Sequence, residues 1–395
     1  MKNDPTPVES AGSRSKGGTP PPGASAPGLY VHVPFCKTKC PYCSFYSVVP
    51  GATPAQWLGA LTREAELHRG AFGAFDTLYF GGGTPSLLGE EEIAAAVAAL
   101  RGAFPFAEDL ELTIEANPDD VTPGKLAAYR ALGVDRVSIG VQSLSDEELH
   151  FLGRRHDARQ ARLAVDLARE AGFTNIGIDL IYGFDGQSLE SWEEILSAAL
   201  EASPEHLSCY QMTIEPSTPF GKTLEHGELR ALDEESARRF FTRTSQILRS
   251  RGYIHYEISN FARGEQFISR HNYKYWRHVP NLGLGPAAHS FRDGRRWWNV
   301  RSVRDYCDAL ERGVSPIDGE ETLTERQLLL EELSLGFRTR DGVTLETLRR
   351  FPGWQTALES LERESLVSIS GGRAVPTIDG FLVADRLPLA FAGAE

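Results

Sequence analysis

Three of the chain's five cysteines, Cys36, Cys40 and Cys43, fall close together in HVPFCKTKCPYCSFY, residues 32–46. Thiolates spaced C-x3-C-x2-C on one short loop can bind zinc, with His32 as a fourth ligand, or hold three irons of a [4Fe–4S] cluster. Structural zinc loops bring cysteines in pairs separated by a longer span, and no second pair occurs here. The spacing therefore favours iron–sulfur. A cubane with three protein ligands leaves one iron open to an exchangeable ligand. Cys209 and Cys307 stand alone in the chain and read as small core residues.

Such a loop needs a scaffold that collects polar groups along one edge. Short apolar runs recur at 28–33, 76–82, 111–117, 136–143, 175–183 and 206–215, and each reads as a buried strand. Amphipathic segments lie between them, the alternation that a parallel sheet requires. Thr53, Pro54 and Gln56 predict a capped helix start, and Thr122 with Pro123 repeats the device. Gly133 and Gly172 fall where helix C-terminal caps are due. Six such units are too few for a closed eight-stranded barrel. The expected fold is α/β, an open partial (β/α)6 barrel of the TIM type over about residues 28–215, with the chemistry at the strands' C-terminal ends. After about residue 230 the rhythm changes to a helix near 233–251, an aromatic- and Gly-rich stretch from 255 to 300, and a smaller, mostly helical part. That part includes a capping box at Thr324 and Gln327 and a helix ending at Gly336. Helices followed by a hairpin suit a winged-helix-like module, here read as a cover for the barrel and not as a DNA reader.

Composition sets outer bounds. Apolar residues make up 41% of the 395 and charged residues 24%, ordinary values for a soluble globular chain. Residues 1–27 are rich in Pro, Gly and Ser and are expected to be a disordered tail. That tail lacks the apolar core of a secretion signal, and no later run reaches the ~18 apolar residues needed to span a bilayer. The expected location is cytoplasmic. A net charge of −13 argues against nonspecific nucleic-acid binding.

The segment YVHVPFCKTKCPYCSFY directly after the first strand resembles the radical SAM enzymes. The resemblance implies that the open iron chelates the amino and carboxylate groups of S-adenosylmethionine. An electron from the reduced cluster would then break a sulfonium C–S bond to give a 5′-deoxyadenosyl radical. From residue 28 to about 300 the chain is similar to the branch that holds oxygen-independent coproporphyrinogen III oxidase and its heme-chaperone relative. Under that resemblance Tyr30, Gly82, Gly83 and Thr84 in YFGGGTPS, Glu115 in IEANP, Gln142 in GVQS, Arg154 in LGRRH and Asp179 in IDLIYG are S-adenosylmethionine contacts. Their chemistry agrees: carboxylates suit ribose hydroxyls or an ammonium group, and Arg suits a carboxylate. Taken singly, the glycines also suit a tight turn and the polar residues suit strand-end hydrogen bonds. YGFDGQ at 182–187 departs from the family, which has Leu-Pro before its Gly-Gln.

Two features separate the relatives. The oxidases carry a fourth cysteine where this chain has Phe45, and an N-terminal extension where it has the Pro/Gly/Ser tail. HNYKYW at 271–276 matches the H-N-x-x-Y-W motif of the heme chaperones, which implies His271 as a heme ligand with Tyr275 and Trp276 packed on the porphyrin. Composition alone favours a structural aromatic cluster around a hydrogen-bonded histidine, and the family match reverses that preference. Arg295, Arg296, Trp297 and Trp298 can meet propionates and cover a ring, or form a solvated hairpin tip.

The implied domains are a radical SAM partial barrel over 28–230, a barrel extension with the HNxxYW motif over 231–315 and a C-terminal domain over 316–395. The implied cofactors are a [4Fe–4S] cluster, S-adenosylmethionine and heme. The implied partners are heme-accepting proteins such as respiratory enzymes, membrane-associated ones included, a reductant protein and a second copy of the chain. Coproporphyrinogen oxidation and another radical SAM activity are the alternatives to heme delivery.

Overall fold

The computed structural model describes residues 26–49 and 53–392. Apart from Ala26 and Pro27, the expected tail lies outside the described residues. One sheet of twelve strands organises the barrel: β1 Gly28–Val33, β2 Phe75–Gly82, β3 Phe106–Ala116, β4 Arg136–Gln142, β5 Ile176–Tyr182, β6 His206–Gln211, β7 Ile254–Glu257, β8 Asn260–Ala262, β9 Asn281–Leu284, β10 His289–Arg292, β11 Arg295–Asn299 and β12 Ile317–Thr322. Strands β1 to β6 are neighbours in chain order and all parallel. β9 adds in parallel to the free side of β1, followed by antiparallel β10, β11 and β12. At the other end β8 and β7 run antiparallel to β6. Among the described residues the outer strands β12 and β7 do not pair, so the barrel is open.

Strand alternation explains how the sheet is built. In β1 Leu29, Val31 and Val33 face outward and are fully buried, in one core with Trp57 of helix Pro54–Leu67 and Ile93 of helix Glu90–Ala103. Tyr30 and His32 take the inner face. The same alternation puts Leu112 and Ile114 of β3 in the core and Glu111, Thr113 and Glu115 inside the barrel. A closed barrel fills its interior with branched apolar side chains; this one lines it with polar ones.

The helix starts follow from their caps. Thr53 and Gln56 form both halves of a capping box. Thr122 accepts from the Lys125 backbone, but a lysine cannot return the bond, and its ammonium group reaches the Ser86 carbonyl instead. The structure adds detail to the expectation at two places. β6 ends at Gln211, not near 215, because the chain turns there toward Pro216, which has no N–H to give a ladder, and then into helix Pro219–Glu225, capped by Thr218. The aromatic- and Gly-rich stretch 255–300 holds, with Ile254 at its start, β7 to β11 and helix Arg270–Trp276, in strands of three to five residues, too short for alternation to show.

Residues beyond β12 build a second core around Leu333, Phe337, Leu348 and Phe391. Helix Glu325–Gly336 begins at the Thr324–Gln327 capping box, and a three-stranded antiparallel sheet joins Val343–Thr344, Arg373–Pro376 and Val367–Ser370. No helix among the described residues is long and apolar enough to cross a membrane.

Glu64 anchors the added strands. Fully buried on helix Pro54–Leu67, it accepts from the Tyr306 hydroxyl at 2.6 Å, the Gly285 amide at 2.8 Å and Asn299 Nδ2 at 2.5 Å. Burial nevertheless pushes its pKa up to about 7. A carboxyl raised in the folded state stabilises fully below the ordinary glutamate range and loses that contribution as pH climbs through about 7. Glu64→Gln cannot accept from all three donors. Thermal melts should show it less stable than the parent at pH 5, with the gap narrowing as pH rises to about 7 and constant above that; a pH-independent gap would refute the assignment.

Candidate functional site

The cysteine loop is pinned at its base. Cys36 N–H donates to the Val48 carbonyl at 3.0 Å and Val48 N–H to the Pro34 carbonyl at 2.7 Å, while Cys43 N–H closes a turn on Cys40 at 3.1 Å. Lys37 pairs with Asp120, and Arg155 pairs with Asp119, which ties the loop's flank to the segment after β3. Burial and the neighbouring cysteines raise the Cys43 thiol pKa.

The glycine turn locks onto this base. Gly83 N–H donates to Val33 O at 2.7 Å and Thr84 N–H to Phe35 O at 2.8 Å. A Cβ on Gly83 would stand 2.7 Å from Phe35 O, and Gly82 takes φ +108°, so both positions need glycine. The Thr84 hydroxyl lies 3.3 Å from Cys36 Sγ.

A cavity of about 510 Å³ opens above these groups at the C-terminal ends of the parallel strands. The structure brings ten of the expected residues to its wall: Cys36, Cys40, Cys43, Gly82, Gly83, Thr84, Glu115, Gln142, Arg154 and Asp179. Glu115 accepts from the Tyr79 hydroxyl at 2.7 Å and the Gly82 amide at 3.2 Å. Burial pushes its pKa up to about 7, and Asp179, raised by its own burial, adds to the effect. A bulge after Ile139 and φ +68° at Gln142 turn the end of β4 toward the cavity. Arg154 donates to Asn117 Oδ1 at 2.6 Å, to Gly140 O at 2.9 Å and to Cys40 Sγ at 3.4 Å. Its buried Nε has no hydrogen-bond partner among the described residues.

Two expected residues lie elsewhere. Tyr30 sits deeper in the barrel, its hydroxyl 3.1 Å from His32 Nδ1 and its ring beside Tyr79 and His271. His271 is buried at the strands' N-terminal end, where Nδ1 shares a hydrogen bond with Thr77 at 2.9 Å and Nε2 with Tyr275 at 3.0 Å. Its ring stacks 5.0 Å from Tyr79, and burial pushes its pKa down to about 3. Iron ligation by His271 requires one of those bonds to break. Strand alternation also splits RRWW: Trp297 is buried in the outer core against His68, while Trp298 takes the inner face. Arg295 and Arg296 are ion-paired with Glu320 and Glu321. Both His32 ring nitrogens are engaged, Nε2 with the Tyr46 carbonyl at 2.9 Å and Nδ1 with Tyr30, so zinc ligation by His32 requires one of those bonds to break.

Sequence reasoning missed Asn117, which joins Arg154 to the Thr84 hydroxyl, although it lies in the IEANP motif already singled out. It also missed Ser138, which donates to Asp179 at 3.3 Å, and buried Glu148, which holds Ser143, Gln187 and Ser191. Glu148 resolves the unusual YGFDGQ loop: Gln187 accepts from Gly183 N–H at 2.7 Å while Phe184 stacks on Phe151 at 5.1 Å.

An open α/β barrel with three cysteines, a glycine turn and a buried carboxylate around one cavity is the arrangement of a radical SAM protein, and residues 30–199 match the model of the Radical SAM superfamily. The chain is 36% identical to the heme chaperone HemW of Mycobacterium tuberculosis over 91% of its own length and 93% of that protein's. It is 33% identical to radical S-adenosyl methionine domain-containing protein 1, mitochondrial, of Bos taurus, over 94% and 88% of the two chains. The solved structure of coproporphyrinogen III oxidase (HemN) from Escherichia coli superposes with a TM-score of 0.79 at 24% identity, covering 94% of this chain and 91% of that one, a likeness of fold. The chain belongs to the radical SAM superfamily and, within it, to the family of these HemW relatives.

The family implies a [4Fe–4S] cluster and S-adenosylmethionine, and the residues present fit both. Three thiols face the cavity with Arg154 beside one of them, and the unpartnered Arg154 Nε suits a carboxylate. Cys36, Cys40 and Cys43 would hold the cluster, which when reduced supplies the electron for sulfonium cleavage. When bound, the ligand would be oriented by the chain's own groups: its carboxylate by Arg154, its ammonium or ribose hydroxyls by Glu115 and Asp179, and its backbone-facing side by the glycine turn.

Changing Cys36, Cys40 or Cys43 to Ala should abolish the visible absorption of the reconstituted cluster, while Cys209→Ala and Cys307→Ala keep full iron content. Loss of iron in either control would reveal a missed ligand. Because Glu115 gains its negative charge near pH 7, S-adenosylmethionine should bind more tightly as pH rises from about 6 to about 8. Isothermal titration should show weaker, pH-flat binding in Glu115→Gln; an unchanged slope would remove Glu115 from the site.

Proposed function

We propose that the protein is a heme chaperone of radical SAM fold, which binds a [4Fe–4S] cluster, S-adenosylmethionine and heme and passes heme to acceptor proteins in the cytoplasm. The observation that carries this reading is 36% identity to a named heme chaperone through nearly the whole of both chains, C-terminal part included. Identity of 24% to the oxidase structure supports a shared fold only. Site detail agrees with the choice: Phe45, where the oxidases carry a fourth cysteine, is 68% exposed at the rim of the cavity and offers no further ligand. A reductant protein would feed the cluster, and heme-accepting respiratory enzymes are the expected recipients.

Purified, cluster-loaded protein should bind hemin saturably and transfer it to an apo-acceptor, with no protoporphyrinogen formed from coproporphyrinogen under anaerobic reducing conditions. Phe45→Cys should not create that turnover. Decarboxylation of coproporphyrinogen by the unmodified protein, without retained heme, would make it an oxidase.

A further inference from the structure

The barrel's polar inner face continues past β1. In register across the strands stand Tyr79 of β2, Tyr30 of β1 and Gly283 of β9, then His289 of β10, Trp298 of β11 and Gly319 of β12. Glycine is required at both ends of the added wall. A Cβ on Gly283 would lie 2.3 Å from His289 O, and one on Gly319 would lie 2.5 Å from the Trp298 indole. The result is a flat floor that carries one imidazole and one indole, stacked 6.0 Å apart at 30°.

His289 differs from the other histidines of this face. His32 and His271 have both ring nitrogens engaged, and His206 is buried against Tyr256. His289 is exposed, and neither of its ring nitrogens has a hydrogen-bond partner among the described residues. Partial burial, then Arg296 and Arg301, push its pKa down, so the ring is neutral at pH 7, the form that coordinates iron. Of these two arginines Arg296 is ion-paired, whereas Arg301 only lies over the Tyr46 ring at 5.7 Å. A neutral imidazole with a free nitrogen, a flat aromatic floor and an available guanidinium are what a metalloporphyrin with carboxylate side chains requires.

We infer that heme is seated on this extension of the inner face, with His289 as the iron ligand, Trp298 fixing the imidazole plane and Arg301 meeting a propionate. The placement rests on the heme-chaperone reading above, and it moves the ligand from His271, which serves as the packed floor of the barrel.

The test is an anaerobic titration of the full-length, cluster-loaded protein with hemin, followed by the Soret band and by electron paramagnetic resonance. The parent should show a saturable imidazole-type spectrum. His289→Ala should lose that spectrum and bind hemin about tenfold more weakly or worse, and His289→Cys should convert it to a thiolate type. Arg301→Glu should weaken binding without changing the ligand signature. His271→Gln should keep the imidazole spectrum. Iron–sulfur content and melting temperature should stay at parent values in both His289 variants, because the side chain is exposed. A parental spectrum and affinity in His289→Ala, or loss confined to His271→Gln, would overturn the placement while leaving the chaperone reading intact. Absence of saturable heme binding in the parent would defeat the chaperone reading itself, and the placement with it.

Discussion

Two backbone hydrogen bonds, from Gly83 to Val33 and from Thr84 to Phe35, hold the site together. They join the end of β2 to the root of the cysteine loop, so the thiols and the glycine turn cannot move independently. The close approach admits no side chain at Gly83 and demands a left-handed backbone at Gly82. From that joint outward, each contact fixes the next. Thr84 touches Cys36 and Asn117, Asn117 holds Arg154, and Arg154 returns to Cys40. The ring closes around the cavity with groups from β2, β3, β4 and the loop after β4. Positioning of this kind lets a protein direct a cofactor's chemistry without supplying the chemistry itself.

The second constraint is the polarity of the barrel's interior. Arg136, Glu111, Thr113, Glu115, Asp179 and His206 all come from parallel strands, and their outward neighbours fill a continuous apolar core. Burying so many polar groups is costly unless they meet partners or ligands. Arg136 Nε and Nη1, Arg154 Nε and Thr113 Oγ1 have no hydrogen-bond partner among the described residues. The same low-dielectric interior raises Glu115 and Glu257 to about 7 and lowers His271 to about 3. The sheet stays open around this interior, since β12 and β7 do not pair with each other among the described residues.

What could be read from the chain followed the physics of each signal. Apolar alternation and caps are local, so β1 to β6, the Thr53 box and the helix starting at Thr324 were legible. The cysteine spacing and the strand-end polar residues were legible for the same reason, since each sits at a fixed offset from a strand. β9 was not, because its pairing with β1 spans most of the chain and four residues carry too little pattern to declare it. The place of His271 depended on that long-range pairing and on Thr77 and Tyr275, none of which spacing within HNYKYW reveals. Tyr30, taken as an S-adenosylmethionine contact from the family resemblance, stops short of the cavity because His32, nearer the strand end on the same face, intervenes. His289 was seen as part of a glycine-rich run but not as an unpartnered imidazole, a property only tertiary structure defines.

The central claim is that three thiolates hold a cubane whose remaining iron is filled by S-adenosylmethionine. The most direct measurement is the electron paramagnetic resonance spectrum of the anaerobically reconstituted, reduced protein, taken before and after S-adenosylmethionine is added. The account predicts a [4Fe–4S] signal whose g-values shift on addition. Full zinc occupancy without sulfide, or a cluster signal indifferent to that ligand, would contradict it.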